Sequence, residues 1–199
     1  LYLAHRYKVN FVYGLISEKK PNINSMPFEH IKQSREQGLK KFIKNCPANS
    51  SSILVSKKRY IMSGGCNENF ISPDQVLFLR LFSEGEAVFL NQVVAILPSN
   101  QSEDRLSSQI KRSRYESILA LINFCNENPN LEKTFIKLAF KRALSRANTY
   151  NKLLNNIYFS SHWFNYILSK FLVPKYYKKQ MYNALKVFSG CSDEKPKGW

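Results

Sequence analysis

From Ser72 onward, apolar residues recur at the three- and four-residue spacing that is typical of amphipathic helices. Residues 72–75 combine an N-cap serine, a proline at the first helical position and a capping-box glutamine, which predicts a helix to about Phe82. The same spacing predicts further helices over residues 87–97, 102–125, 128–147, 149–159, 161–172 and 174–188, with Gly190 ending the last. We therefore expect the chain to be helical after residue 71.

The first 70 residues have a mixed pattern. Residues 7, 9, 11 and 13 alternate with Lys8 and Asn10 as in a strand, yet Leu3, Tyr7 and Phe11 also fit one face of a helix. Apolar spacing after Pro27 predicts a helix to about residue 44, which the glycine at position 38 weakens. Residues 53–62 are the best strand candidate, and we expect them to pair with the N-terminal segment in a small sheet.

These elements predict a mainly α fold with three parts. Residues 1–70 form a small α+β or irregular N-terminal part, residues 71–190 a basic helical bundle, and residues 191–199 a polar tail. Strands are expected only in the first part. A hydrophobic content of 44% supports a buried core, and we expect most of the 14 Phe and 11 Tyr residues at inward helical positions. Because the first residue is Leu1 and not Met, we expect the chain to begin inside a longer protein.

Charge is the strongest functional signal. The chain has 30 Lys and Arg residues against 14 Asp and Glu, a formal net charge of +16. Between Arg105 and Lys186 there are 15 basic residues and 3 acidic ones. Such an excess concentrates anions at the surface, so an anionic partner is expected. A basic surface that serves solubility alone is the simpler interpretation of the same numbers.

Two of the late helices separate charged from apolar positions. Lys133, Lys137 and Lys141 recur every four residues, which places them on one side of their helix. The last helix repeats this pattern, and a third basic cluster, residues 111–114, lies within the helix that begins near residue 102. The predicted anion-binding residues are Arg105, Lys111, Arg112, Arg114, Lys133, Lys137, Lys141, Arg142, Arg146, Lys175, Lys178, Lys179 and Lys186.

Aromatic residues beside these cations are candidates for stacking. Tyr176 and Tyr182 lie on the basic side of the last helix. A secondary basic patch, Lys57, Lys58 and Arg59, precedes Tyr60 on the candidate strand. Basic groups beside an aromatic ring bind phosphates and stack on bases. The short run also fits a solvated strand edge that prevents aggregation.

No catalytic, metal or cofactor site is predicted. His5, His30 and His162 are far apart, and no pair of cysteines has metal-ligand spacing. Residues 63–66 (Ser-Gly-Gly-Cys) are interpreted as a glycine turn in preference to a nucleophile loop. The four scattered cysteines favour a reducing compartment, the cytoplasm or an organellar matrix. The longest apolar runs, 87–97 and 163–173, are about half a membrane span.

The sequence thus favours a non-catalytic domain that binds a polyanion, most readily RNA or another nucleic acid, within a larger ribonucleoprotein assembly. Lys and Arg contacts to phosphates give affinity through counterion release without reading sequence. The alternative is a peripheral domain that docks on an anionic membrane or a phosphoinositide, with Trp163, Phe164 or Tyr176 beside the lysines. An enzyme or effector whose site is assembled from distant residues is a third hypothesis.

Overall fold

The structure, a computed structural model, describes residues 2–19, 28–67, 69–97, 109–189 and 191. In this part of the chain the fold is mainly helical, with one four-stranded sheet. Contacts divide the chain into two compact units. The first comprises residues 1–67 and 74–103, which extends past the predicted boundary at residue 70, and the second comprises residues 68–73 and 104–199.

The first unit surrounds its sheet with helices. Its elements are α1 (Tyr2–Tyr7), β1 (Phe11–Ser17), β2 (His30–Gln33), α2 (Arg35–Lys44), a 3₁₀ turn (Ser50–Ser52), β3 (Ile53–Val55), α3 (Lys57–Met62), α4 (Asp74–Glu84) and β4 (Ala87–Ile96). The strand order is β2-β4-β1-β3. β1 is parallel to β4, and the other neighbours are antiparallel. β4 therefore has a hydrogen-bonded strand on each side.

Aromatic packing holds α2 and α4 against one face of this sheet. Phe11 and Tyr13 point to that face because alternate side chains of a strand share a side. The ring centroid of Phe11 lies 4.8 Å from that of Phe82, and Tyr13 lies 5.4 Å from Phe42. Phe42 stacks on Phe78 at 4.4 Å. All five rings are buried, so this cluster is the core of the first unit.

Gly38 allows α2 to approach α4 closely. A Cβ atom at this position would lie 1.9 Å from the ring of Phe82, well inside any normal contact distance. The glycine that weakens the helix in isolation is therefore required by the packing. Ser34 compensates at the N-terminus, because its hydroxyl accepts from the backbone of Gln37 while the Gln37 side chain accepts from Ser34 N–H.

Several sequence predictions for the first unit are wrong. Residues 87–97, predicted as a helix, form strand β4, so strand is not confined to the first 70 residues. The predicted strand over 53–62 ends at residue 55, because the Ser56 hydroxyl caps a new helix, α3. The predicted helix over 27–44 begins only at Arg35, after strand β2. Within residues 1–17, where the sequence fitted either a helix or a strand, the helix α1 is followed by the strand β1.

The second unit is helical in its described residues. It contains α5 (Ile110–Glu127), α6 (Lys133–Leu154), α7 (Ser161–Ser169), α8 (Tyr177–Leu185) and a 3₁₀ turn (Lys186–Phe188). α5, α6 and α8 pack on one another, and α7 packs on α6. Tyr177 at the start of α8 contacts Phe140 of α6, and Phe188 after its end contacts Tyr150. α8 therefore runs alongside α6 in the same direction.

The helices predicted for the second unit lie at approximately the correct positions, but their predicted ends are less accurate. The helices predicted over 128–147 and 149–159 are one helix, α6, which ends at residue 154. The predicted helix over 161–172 ends at residue 169, and the one over 174–188 begins at Tyr177 and finishes as a 3₁₀ turn. Residues 102–108 and Gly190 lie outside the described residues.

Glu116 connects residues 68–73 to α5. Its buried carboxylate accepts hydrogen bonds from the backbone N–H groups of Ile71 at 3.0 Å and Ser72 at 3.1 Å. The guanidinium Nε of Arg112 donates to the same carboxylate at 3.1 Å. A buried carboxylate requires such partners, because an unpaired charge in the interior costs several kcal/mol, on the order of 3–5 when a partner is removed.

Candidate nucleic-acid interface

Three of the predicted anion-binding lysines form an exposed row on α6. Lys133, Lys137 and Lys141 are all exposed, and in the described part of the chain none of them forms a salt bridge. Residues 133–191 contain eleven Lys and Arg residues and no Asp or Glu. The positive charge of the stripe is therefore not neutralised by its own segment.

The outward side of α8 carries a second set of lysines. Lys175, Lys179 and Lys186 are exposed, with Tyr182 beside them, while Met181 faces the core. Lys178, predicted in the same set, is only half-exposed. Burial raises the pKa of the Cys125 thiol, and the positive charge of Lys178 acts in the opposite direction. Lys178 therefore lies toward α5, the helix that contains Cys125.

The basic cluster at the start of α5 divides into different environments. Arg114 is exposed. Lys111 donates from Nζ to the backbone carbonyl of Ser189, which ties α5 to the end of the last turn. Arg112 is held by the buried carboxylate of Glu116. Arg112 and Glu116 are four residues apart, a spacing at which oppositely charged side chains on a helix pair with each other. This spacing in the sequence distinguishes Arg112 from the exposed cations.

Two predicted site residues of α6 lie between helices. Arg146 is 7% exposed, and its Nη1 donates to the carbonyl of Ser117 on α5 at 2.7 Å. Arg142 is half-buried, and burial together with the positive charge of Arg114 lowers its pKa. Both arginines contribute to packing of α6 beside α5. Arg105 lies outside the described residues.

The secondary basic patch belongs to α3 of the first unit. Lys57, Lys58 and Arg59 are exposed there, and Arg59 lies 3.9 Å from the carboxylate of Glu84. Tyr60 is half-buried, and its hydroxyl accepts from the backbone N–H of Cys66 at 3.1 Å. The ring of Tyr60 therefore supports the following turn and is poorly placed to stack on a ligand.

That turn has the geometry of a glycine turn. Gly64 and Gly65 have positive φ values of 78° and 58°, a region that glycine enters without strain. Arg80 donates from Nη1 to both of their carbonyls. Two bonds from one guanidinium fix the loop in place.

A cleft of about 400 Å³ lies between α7 and α8. Tyr176, 62% exposed, and Lys179 line it together with three carboxamides, those of Asn165, Gln180 and Asn183. The sequence analysis did not identify these amides. Asparagine is frequent in the chain, but the pairing of one α7 residue with α8 residues depends on how the helices pack. Tyr182, the other stacking candidate, is 47% exposed, and its hydroxyl accepts from the Asn126 amide.

Many aromatic and aliphatic side chains between residues 153 and 172 face solvent, among them Phe159, Phe164 and Phe171, which are exceptions to the expectation that most Phe and Tyr residues lie inward. α7 turns Ser169 toward α6 and half-buries His162 and Asn165, leaving its apolar side open. Burial lowers the pKa of His162. The exposed apolar residues here are Leu153, Leu154, Ile157, Tyr158, Phe159, Trp163, Phe164, Leu168, Phe171 and Leu172.

Within the described residues, no cluster of His, Cys, Asp and Glu is arranged to hold a metal ion. Across the same residues, no helix has both the length and the apolar content needed to cross a membrane. None of the four cysteines, all of which the structure describes, forms a disulfide, and burial raises the pKa of Cys125 to about 11, which makes that thiol a poor nucleophile. Comparisons with protein-family models, curated proteins and solved structures find no match for this chain.

Proposed function

We propose that the second unit is a non-catalytic helical bundle that binds single-stranded nucleic acid, RNA in preference to duplex DNA, through lysines of α6 and α8. The observation that carries the proposal is the row of exposed lysines 133, 137 and 141 in a segment without acidic residues. Each exposed lysine can neutralise a phosphate and release a counterion, which is the main source of sequence-independent affinity.

The spacing of the cations favours a chain-like ligand over a small anion. Positions 133 and 141 are about 12 Å apart along a helix that rises about 1.5 Å per residue. Lys175, Lys179 and Lys186 extend in a comparable way along and beside α8. Cations spread over such distances suit successive phosphates, whereas a single headgroup requires them to converge on one pocket.

Exposed tyrosine and amide groups favour RNA over duplex DNA. Tyr176 and Tyr182 are available on the basic side of α8, and aromatic rings stack on the unpaired bases of single strands. The outward side of α6 carries lysines and no row of Arg, Asn and Gln of the kind that reads base edges in a major groove. The ligand would therefore be recognised by charge and stacking.

The salt dependence of RNA binding tests the proposal. Log affinity should fall linearly with log salt, with a slope of about −0.7 for each phosphate contacted. Replacing Lys133, Lys137 and Lys141 with Glu should flatten the slope by about 2, since three contacts are lost. Fluorescence anisotropy with unrelated RNA sequences at several salt concentrations measures both quantities.

A second triple variant controls for net charge. Lys8, Lys19 and Lys44 are exposed residues of the first unit, and changing them to Glu alters the net charge equally. This variant should keep most of the slope. Equal losses in the two variants, or no RNA binding at low salt, would refute the lysine row as the binding site.

Docking on an anionic membrane is the second candidate. The specific observation is the open apolar side of α7, where Phe164 is 56% exposed and Phe171 is 76% exposed, close in sequence to Lys170 and Lys175. Apolar side chains enter the headgroup boundary while lysines attract anionic lipid. Sedimentation with phosphatidylserine or phosphoinositide vesicles tests this candidate, and Trp163→Ser with Phe164→Ser should abolish it. Vesicle binding without RNA binding would replace the nucleic-acid proposal.

A further inference from the structure

We propose that the cleft between α7 and α8 is a nucleotide subsite, which binds one base of a single-stranded RNA against Tyr176 and the three amides, with the adjoining phosphate near Lys179. The cleft measures about 400 Å³. This inference rests on the proposed function and extends it, because it places one base of the ligand in a defined cleft.

The amides of the cleft have unused hydrogen-bonding capacity. In the described residues, no side-chain hydrogen bond joins the amide of Asn165, Gln180 or Asn183 to the rest of the protein. Elsewhere in this unit, the amides of Asn126, Asn128 and Asn155 each donate to a protein acceptor. These three amides therefore have donors and acceptors that no protein side chain occupies, while the wall of the cleft is mostly apolar, which suits the flat face of a base.

The combination of groups matches a nucleotide better than a lipid or an inorganic anion. Carboxamides offer a donor and an acceptor side by side, which complements the edge of a base. An exposed tyrosine ring supplies a stacking surface for the flat face of the base. A lysine in the same cleft supplies the positive charge for a phosphate, and residues 133–191 contain no carboxylate to compete for it.

RNA and an abasic RNA of the same length distinguish base binding from phosphate binding. The two chains carry equal numbers of phosphates, so the lysines of α6 and α8 should bind them equally. We expect the protein to bind the RNA that has bases about tenfold more tightly, since one stacked base is worth on the order of a factor of ten in affinity. Anisotropy titrations at fixed salt measure the ratio.

Variants of the cleft should remove this ratio and leave the salt slope intact. Tyr176→Ala and the pair Asn165→Ala with Gln180→Ala should each reduce the preference for bases severalfold. Tyr176→Phe should retain it, because the ring is preserved. Asn130→Ala is the matched control, since Asn130 is an exposed amide outside the cleft.

The outcomes separate this inference from the function on which it rests. Equal binding of RNA and abasic RNA, or a preference that survives the cleft variants, overturns the subsite while lysine-dependent binding stands. Absence of binding to either chain at low salt overturns both. Adenosine and uridine monophosphates, added as competitors, should reduce binding of the RNA with bases and leave the abasic chain bound. Equal competition against both chains would also count against the subsite.

Discussion

Arg112 and Arg114 are two residues apart on α5, and their surroundings differ. Arg112 faces the buried carboxylate of Glu116, which also holds the backbone of Ile71 and Ser72. Arg114 is exposed, and its positive charge contributes to lowering the pKa of Arg142. From the sequence, both arginines were predicted to be anion-binding residues at the surface. The sequence signal that distinguishes them is Glu116 four residues after Arg112, whereas the contact of Glu116 with residues 71 and 72 requires the fold.

These surroundings predict opposite effects of two alanine substitutions. Arg112→Ala leaves Glu116 with fewer partners, so the free energy of unfolding should fall by about 2–4 kcal/mol with little change in the salt slope of RNA binding. Arg114→Ala should change stability by less than about 0.5 kcal/mol and weaken RNA binding. Urea unfolding and RNA titration measure both quantities. A stability loss shared equally by the two variants would contradict the assignment.

At the scale of elements, strand β4 shows why the sequence misleads. The run from Ala87 to Ile96 is apolar almost throughout, so it has neither the alternation of a half-buried strand nor a clean helical stripe. Consecutive apolar residues fit a strand where both faces of the sheet are covered, as at Ala87 and Val88, which point to opposite faces and are both buried. Its three valines favour a strand, but its ten residues are also long enough for a short helix. Hydrogen bonds to β1 and β2 stabilise the strand in preference to a helix.

The helices of the second unit were predictable because local signals determine them. α7 begins at Ser161 as predicted, with the Ser160 hydroxyl as its cap, and the lysine row of α6 is exposed as its spacing predicts. The break expected within α6 near residue 148 is absent, because Asn148 and Thr149 are weak helix formers that buried neighbours such as Tyr150 override. The exposure of the apolar side of α7 was not predictable, because periodicity shows which residues share one side of a helix but not whether that side packs against another element.

Hydrogen exchange tests the position of β4. Residues 87–90 pair with β1 on one side and β2 on the other, so their amides should exchange among the slowest in the first unit. Residues 53–55 form the edge strand β3, with only β1 as a neighbour, and should exchange faster. Amide exchange followed by mass spectrometry resolves the two peptides. Faster exchange over 87–90 than over 53–55 would contradict the sheet order.

At the scale of the whole molecule, the residues expected to bind an anionic ligand differ from the residues whose pKa values are shifted. The larger share of the surplus of cations belongs to the second unit, where Lys133, Lys137 and Lys141 are exposed. Groups with clear pKa shifts are buried or half-buried, and the buried ones are Tyr13 in the first unit and Cys125 in the second, whose pKa values burial raises. Ligand binding should therefore respond to salt, while stability should respond to alkaline pH. The sequence predicted the first behaviour from its net charge, but burial of a specific thiol is known only once the helices are packed.

Alkaline pH should destabilise the second unit through Cys125. Burial raises the pKa of this thiol from its ordinary value of 9.0 to about 11 in the folded chain, despite the opposing charge of Lys178. The unfolded chain therefore loses this proton at lower pH, so the contribution is complete below pH 9 and is lost as the pH rises toward 11.

The free energy of unfolding should fall by about 1 kcal/mol between pH 8 and 10 from this group alone. Cys125→Ala removes the titrating thiol, so this variant should start less stable, because a small cavity forms, yet lose less stability over the same interval. Burial also raises the pKa of Tyr177, which confines the comparison to pH values up to 10. Urea unfolding of both proteins at pH 8, 9 and 10 measures the difference, and an identical decline in the two would show that Cys125 does not titrate as its burial requires.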